Sequence, residues 1–177
     1  MKKTDSDFYQ KYLSHLIELN KMYYTKWDKK TIVTPCLFSE NLCKELLELK
    51  ERNNGEKDHD ATDNCGNKYE IKATSSSKGT TTYNPKSTVK YLIWMFFDYA
   101  NEEIVIKQID YKKLKSEIQS KKLESRKSED DTSEISININ DFENIKTRKT
   151  ITLGNIEENQ WECVKYYCMR SLKELKK

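Results

Sequence analysis

The chain has 177 residues, of which 36 % are hydrophobic and 34 % charged, with a formal net charge of +3. That is the size of one domain, and three Trp, eleven Tyr and five Phe supply core material that disordered chains lack. The longest apolar run, Tyr91 to Phe97, is too short to cross a bilayer, and the Lys-rich N-terminus lacks a signal peptide's apolar stretch, so a cytoplasmic protein with no membrane partner is expected.

Asp7 to Lys26 carries Phe8, Tyr12, Leu16, Leu19 and Tyr23 at helical spacing, which predicts an amphipathic helix buried along that stripe. After Pro35, Ser39 reads as the N-cap of a helix running to Glu51, with Asn53-Asn54-Gly55 as its stop. His59 to Asp63 and Lys68 to Thr74 read as two short strands around Asn64-Cys65-Gly66. Ser75 to Pro85 is a polar loop. Val89 to Tyr99 is apolar enough for a central strand covered on both faces. A further strand, Glu103 to Ile109, and a helix from Asp110 to about Glu124 follow. Ile135, Ile137 and Ile139 alternate as a short strand, and Arg148 to Leu153 is another candidate. A closing helix after Gly154-Asn155 carries Trp161, Val164, Tyr167, Cys168 and Leu172.

This order predicts a single α+β (mixed α/β) domain over residues 1–177: a central mixed sheet of about four to five strands flanked by helices. Residues 1–55 form its helical part, 58–110 the sheet core, and 111–177 helices and short strands. The five cysteines are odd in number and contain no C-x-x-C pair, which argues against a disulfide framework or zinc knuckle. Reduced core thiols are expected, with Cys36 and Cys43 on one helical face. Lys112 to Lys127 is basic, and Glu129 to Glu134 reverses the sign. Such a helix suits phosphates but equally suits a solvated face.

The chemistry lies in His59 to Thr74. Asp63-Asn64-Cys65-Gly66 has Asp first and Gly fourth, as a type I turn requires, and the glycine then takes the left-handed bulge position of a three-residue hairpin loop. Asp63 pairs with Asn67 in that register, and Asp60 falls opposite Glu70. Glu70 and Lys72 are two apart on one strand and share Asp60's face, while Asp63 points to the other. Opposed carboxylates repel unless a cation lies between them, and hard oxygen donors select Mg2+, with Mn2+ as a substitute, over zinc. The Ile71 carbonyl would complete the shell. A neighbouring lysine orients a water and stabilises transition-state charge, which is what phosphodiester hydrolysis needs. The bland alternative is a surface hairpin with a cross-strand salt bridge.

Asp60, followed ten residues later by Glu70-Ile71-Lys72, resembles the PD-(D/E)XK nuclease superfamily and, within it, the small type II restriction endonucleases. His59 stands where that family has proline. Glu40, in Phe38-Ser39-Glu40, stands where many members carry a helical glutamate; an exposed glutamate near the helix N-terminus is the alternative. The resemblance runs from Ser39 to Ile109. It implies magnesium-dependent cleavage of double-stranded DNA at a specific sequence, with Asp60, Glu70, Lys72 and Glu40 catalytic and Asp60, Glu70 and Ile71 on the metal. It also implies a homodimer, joined through the first or the closing helix, and a cognate DNA methyltransferase in the same system. Ser75, Ser76, Ser77, Lys78, Thr80, Thr81, Thr82, Tyr83 and Asn84 leave the catalytic strand as hydrogen-bonding groups and are the expected DNA contacts. Lys86, Lys90, Arg148 and Lys149 are further basic candidates. The competing functions are a repair or junction-resolving nuclease on the same scaffold and a non-catalytic DNA-binding module.

Overall fold

The structure, a computed structural model, describes residues 3–27, 31–53, 55–76, 78–120, 135–142 and 149–152. The expected closing helix, the basic stretch 121–127, Ser77 and Arg148 lie outside these residues. Three helices, α1 (Lys3–Lys26), α2 (Cys36–Leu47) and α3 (Tyr111–Ser120), accompany eight strands. These are β1 (Lys50–Glu51), β2 (Ala61–Thr62), β3 (Lys68–Thr74), β4 (Thr80–Tyr83), β5 (Tyr91–Asp98), β6 (Glu103–Asp110), β7 (Ile135–Asn138) and β8 (Lys149–Thr152). The fold is α+β, as the element order predicts.

Six strands form the main sheet in the order β1-β2-β3-β5-β6-β8, and β4 pairs with β7 in a separate two-stranded sheet. All neighbours in the main sheet are antiparallel except β3 and β5, which run parallel with Glu70 beside Leu92 and Lys72 beside Trp94. Strand parity divides the interior. Tyr69, Ile71, Ile93, Met95, Phe97, Ile104 and Ile106 face α1 and α2. Leu92, Trp94 and Ile109 face α3 and the β4–β7 ribbon. The near-continuous apolar run of β5 is thus explained by burial on both faces.

Four expectations change. In α1 the buried stripe is Tyr9, Leu13, Leu16, Ile17 and Asn20, whereas Phe8 (55 %) and Leu19 (49 %) stay exposed. The helix is apolar on two sides, and packing of Tyr9 and Tyr12 on Phe38 of α2 selects one of them. Helix α2 starts three residues before Ser39, because Pro35 is its N-cap at φ −58° and its carbonyl accepts from the Ser39 N–H. It ends at Leu47 rather than near Gly55, because Glu48 takes a left-handed conformation (φ 53°) and its N–H closes on the Lys44 carbonyl. That early stop frees Lys50–Glu51 to form the edge strand β1. Finally, the polar segment 75–85 contains β4, whose Thr and Tyr side chains suit a strand once β7 supplies a partner from far along the chain, Thr80 pairing with Asn138 and Tyr83 with Ile135. Cys43 is buried as expected, but Cys36 is exposed at the new helix start.

Candidate active site

The hairpin between β2 and β3 sets the site. Ala61 pairs with Tyr69 and Thr62 with Lys68; outside these two pairs the Asp63 N–H bonds the Asn67 carbonyl, and the Asp60 N–H bonds the Tyr69 carbonyl, so Asp60 and Ala61 both sit against Tyr69. The turn is closed by a Gly66 N–H to Asp63 carbonyl bond (3.0 Å) and by Asp63 N–H to Asn67 carbonyl (3.1 Å), with Gly66 at φ +75°. This is the register that one glycine predicts. Asp63 is consumed by the turn itself. Its carboxylate accepts from the Cys65 and Asn67 N–H groups (2.8 and 2.9 Å), the Asn67 amide (2.7 Å) and the Tyr69 hydroxyl (3.2 Å). Burial pushes its carboxyl up, but the hydrogen bonds from Asn67, Cys65 and Tyr69 outweigh this and hold it below the usual carboxylate range.

Asp60 is held differently. Its N–H donates to the Tyr69 carbonyl (2.9 Å), and its Oδ2 accepts the Ile71 N–H at 2.8 Å. The N–H and C=O of one strand residue point to the same side, so the Ile71 carbonyl also faces Asp60's side of β3. On the next positions along that strand, Lys72 Nζ lies 2.8 Å from Glu70 Oε1, both side chains being about one quarter exposed. Glu70 and Lys72 open into a cleft of about 300 Å3. A larger cavity of about 560 Å3, between the end of α1 and the end of β5, contains none of Asp60, Glu70 or Lys72.

Glu40 joins this group from α2. Burial, and then the adjacent Asp60 carboxylate, push its carboxyl above the ordinary range against the pull of Lys44, Arg52 and Lys72. It sits in the second turn of a helix that begins at Cys36, past the reach of the N-terminal dipole. The structure therefore brings Asp60, Glu70, Lys72 and Glu40 into one electrostatic neighbourhood. Among the described residues no three His, Cys, Asp or Glu side chains form a ready-made metal cage. The donors that fit a hard divalent cation are the Asp60 and Glu70 carboxylates and the Ile71 carbonyl, all oxygen. His59 is buried at 1 % exposure with Nδ1 on Asp58 Oδ1 (2.7 Å), and its Nε2 stands 3.5 Å from Glu56. It is a packed neighbour of the site.

The expected DNA contacts separate. Thr82 and Asn84 reach the cleft beside Glu70 and Lys72. Thr81 (8 %) and Tyr83 (1 %) point into the interior, because β4 alternates, and are withdrawn as contacts. Ser75 is taken up by bonds to the Ile32 carbonyl (3.0 Å) and to Thr31. Ser76, Lys78 and Thr80 remain exposed in the turn and strand start. Lys57, Asp58, Ser87, Thr88 and Tyr111 line the cleft without having been anticipated. No local pattern marks them, since tertiary packing alone carries them there.

The family model described as Bsp6I restriction endonuclease matches residues 1–131, a span that includes every strand and side chain of this site. No curated protein and no solved structure matches the chain. Among the described residues no helix is long and apolar enough to cross a membrane.

Proposed function

From the premise that this chain belongs to the Bsp6I restriction endonuclease family, and so is a DNA nuclease, we propose a type II enzyme with a PD-(D/E)XK site. It hydrolyses both strands of a specific duplex sequence with magnesium. The observation that carries this reading is the β2–β3 hairpin, which holds Asp60 Oδ2 on the Ile71 N–H (2.8 Å), between Glu70 and Lys72 in the chain, and sets Lys72 2.8 Å from Glu70. Asp60, Glu70 and the Ile71 carbonyl would hold Mg2+, or Mn2+ in its place. When bound, the ion supplies Lewis acidity toward the scissile phosphate.

The remaining work falls to the chain itself. The Ile71 N–H fixes the Asp60 carboxylate. Glu70 anchors the Lys72 ammonium, which orients the attacking water and stabilises negative charge gathering on the phosphoryl oxygens. The Glu40 carboxyl, pushed up by burial and by Asp60, is placed to hold or take a proton at that same edge. Cleavage leaves 5′-phosphate and 3′-hydroxyl ends on this reading. One site per chain implies a homodimer for a symmetric sequence, and a restriction activity implies a methyltransferase that protects the host.

Incubating the purified protein with phage DNA and Mg2+ tests this. Discrete fragments are expected, and Asp60→Ala, Glu70→Ala or Lys72→Ala should lower the rate by roughly 100-fold or more. Cutting that follows branches or damage instead of sequence moves the assignment to a repair or junction-resolving nuclease. Absence of any cleavage in Mg2+ or Mn2+ overturns it.

A further inference from the structure

The cleft above Glu70 and Lys72 has a wall that neither the motif nor the family match assigns. It consists of residues 84–88 with Lys57 beside them. The wall is stiff. The Tyr111 hydroxyl receives the Asn84 N–H (3.1 Å) and donates to the Asn84 carbonyl (2.8 Å). The Lys86 and Ser87 N–H groups fold back on Asn84 Oδ1 (2.9 Å) and its carbonyl (3.0 Å), and Lys115 Nζ holds the Pro85 carbonyl (3.0 Å).

Asp58, one of two carboxylates on the cleft, is engaged by Lys68 Nζ (2.7 Å), Thr88 Oγ1 (3.2 Å) and His59 Nδ1 (2.7 Å). The other, Glu70, is paired with Lys72. Lys57 and Lys86 are both exposed and line the cleft, while the Thr88 hydroxyl is spent on Asp58. Two exposed lysines on a rigid frame, next to a phosphodiester-cutting pair, are a phosphate-binding surface. A flexible loop would lose more entropy on binding.

We infer that Lys57 and Lys86 hold the DNA phosphates that flank the attacked one. The inference rests on the nuclease reading of the Glu70–Lys72 floor and places the backbone contacts on residues 57 and 86 in place of most of residues 75–83. These residues position the strand and carry no sequence information of their own.

The test measures binding apart from cleavage. Affinity for a labelled random-sequence 30-base-pair duplex is followed in EDTA by anisotropy from 50 to 300 mM KCl. Lys57→Ala and Lys86→Ala should each weaken binding and flatten the salt slope by about 1. Lys57→Arg and Lys86→Arg should restore it, and Lys21→Ala on α1 should leave it as in the parent. Circular dichroism checks the fold of each variant. Alanine variants with the parental slope overturn the inference. Cleavage of phage DNA by the parent protein in Mg2+, run alongside, reports separately on the nuclease reading: fragments with an unmoved slope sink only the phosphate wall, and a lowered slope without fragments sinks the nuclease reading and, with it, the placement beside an attacked phosphate.

Discussion

Two aspartates three residues apart have opposite fates. Asp60 accepts the Ile71 N–H across the hairpin, while Asp63 ties four donors into the turn. Asp63→Ala should therefore cost about 1–3 kcal/mol of stability through unsatisfied donors, read as a lower melting temperature, yet retain cleavage when the protein is folded. Its depressed carboxyl makes the effect pH-dependent. The unfolded chain binds the proton more readily, so Asp63 contributes stability above the ordinary value of 3.8. That contribution is lost as pH falls from 3.8 toward the lower folded value. Urea titrations of the parent and of Asp63→Asn should differ at pH 6 and converge in acid; a constant gap would contradict the assigned role.

At this scale the sequence was legible wherever parity governs: Glu70 with Lys72 follows from strand period alone, and Asp60 from one glycine. Glu40 lies on the helix before the hairpin, as expected, but that helix begins earlier than Ser39 suggests, because Pro35 opens α2 where Ser39 looked like the cap. Lys57, Ser87 and Thr88 were not legible, since neither spacing nor composition tells which loops fold over a strand.

At the scale of elements, the β4–β7 ribbon is the part that local pattern could not supply. Thr80–Tyr83 looks like loop until Ile135–Asn138 pairs with it across an intervening sheet and helix. The ribbon closes at Gly79, at φ +70°, where an added Cβ would meet Asn140 Nδ2 at 2.6 Å and Asn138 Oδ1 at 2.7 Å. Gly79→Ala should lose at least about 1–2 kcal/mol from the left-handed backbone alone, measured by thermal melting. A melting point equal to the parent's would mean that the ribbon does not depend on this contact. Helix α1 teaches a related lesson. Its period is readable, but its phase is not, because Phe8-Leu19-Tyr23 and Tyr9-Leu13-Leu16 are both apolar stripes and only contact with Phe38 distinguishes them.

For the whole molecule, one sheet separates two cores, and the site sits where its β2–β3 edge meets the cleft. On the proposed type II reading the described residues of each chain supply one such site, and two copies would be needed to cut both strands of a symmetric sequence. Mixing the parent with excess Glu70→Ala protein should yield nicked circular plasmid where the parent alone yields linear product. Accumulation of linear product at the parental rate, with no nicked species, would refute joint action by two copies. Sedimentation with duplex bound gives the matching expectation of two chains per duplex.

The Ile71 N–H that points at Asp60 fills the place where β2 would otherwise go on pairing. A side-chain oxygen thus does the duty of a backbone carbonyl, and the residue proposed to hold the metal is also a stitch in the sheet. An alanine scan would blur these roles, because Asp60→Ala strips charge and leaves a hydrogen-bond donor stranded, a defect of about 1–3 kcal/mol. Asparagine keeps an acceptor oxygen in the same spot. The Asp60→Asn protein should melt close to the parent and still fail to cut, making it the inert partner of choice for trapping this chain on intact DNA.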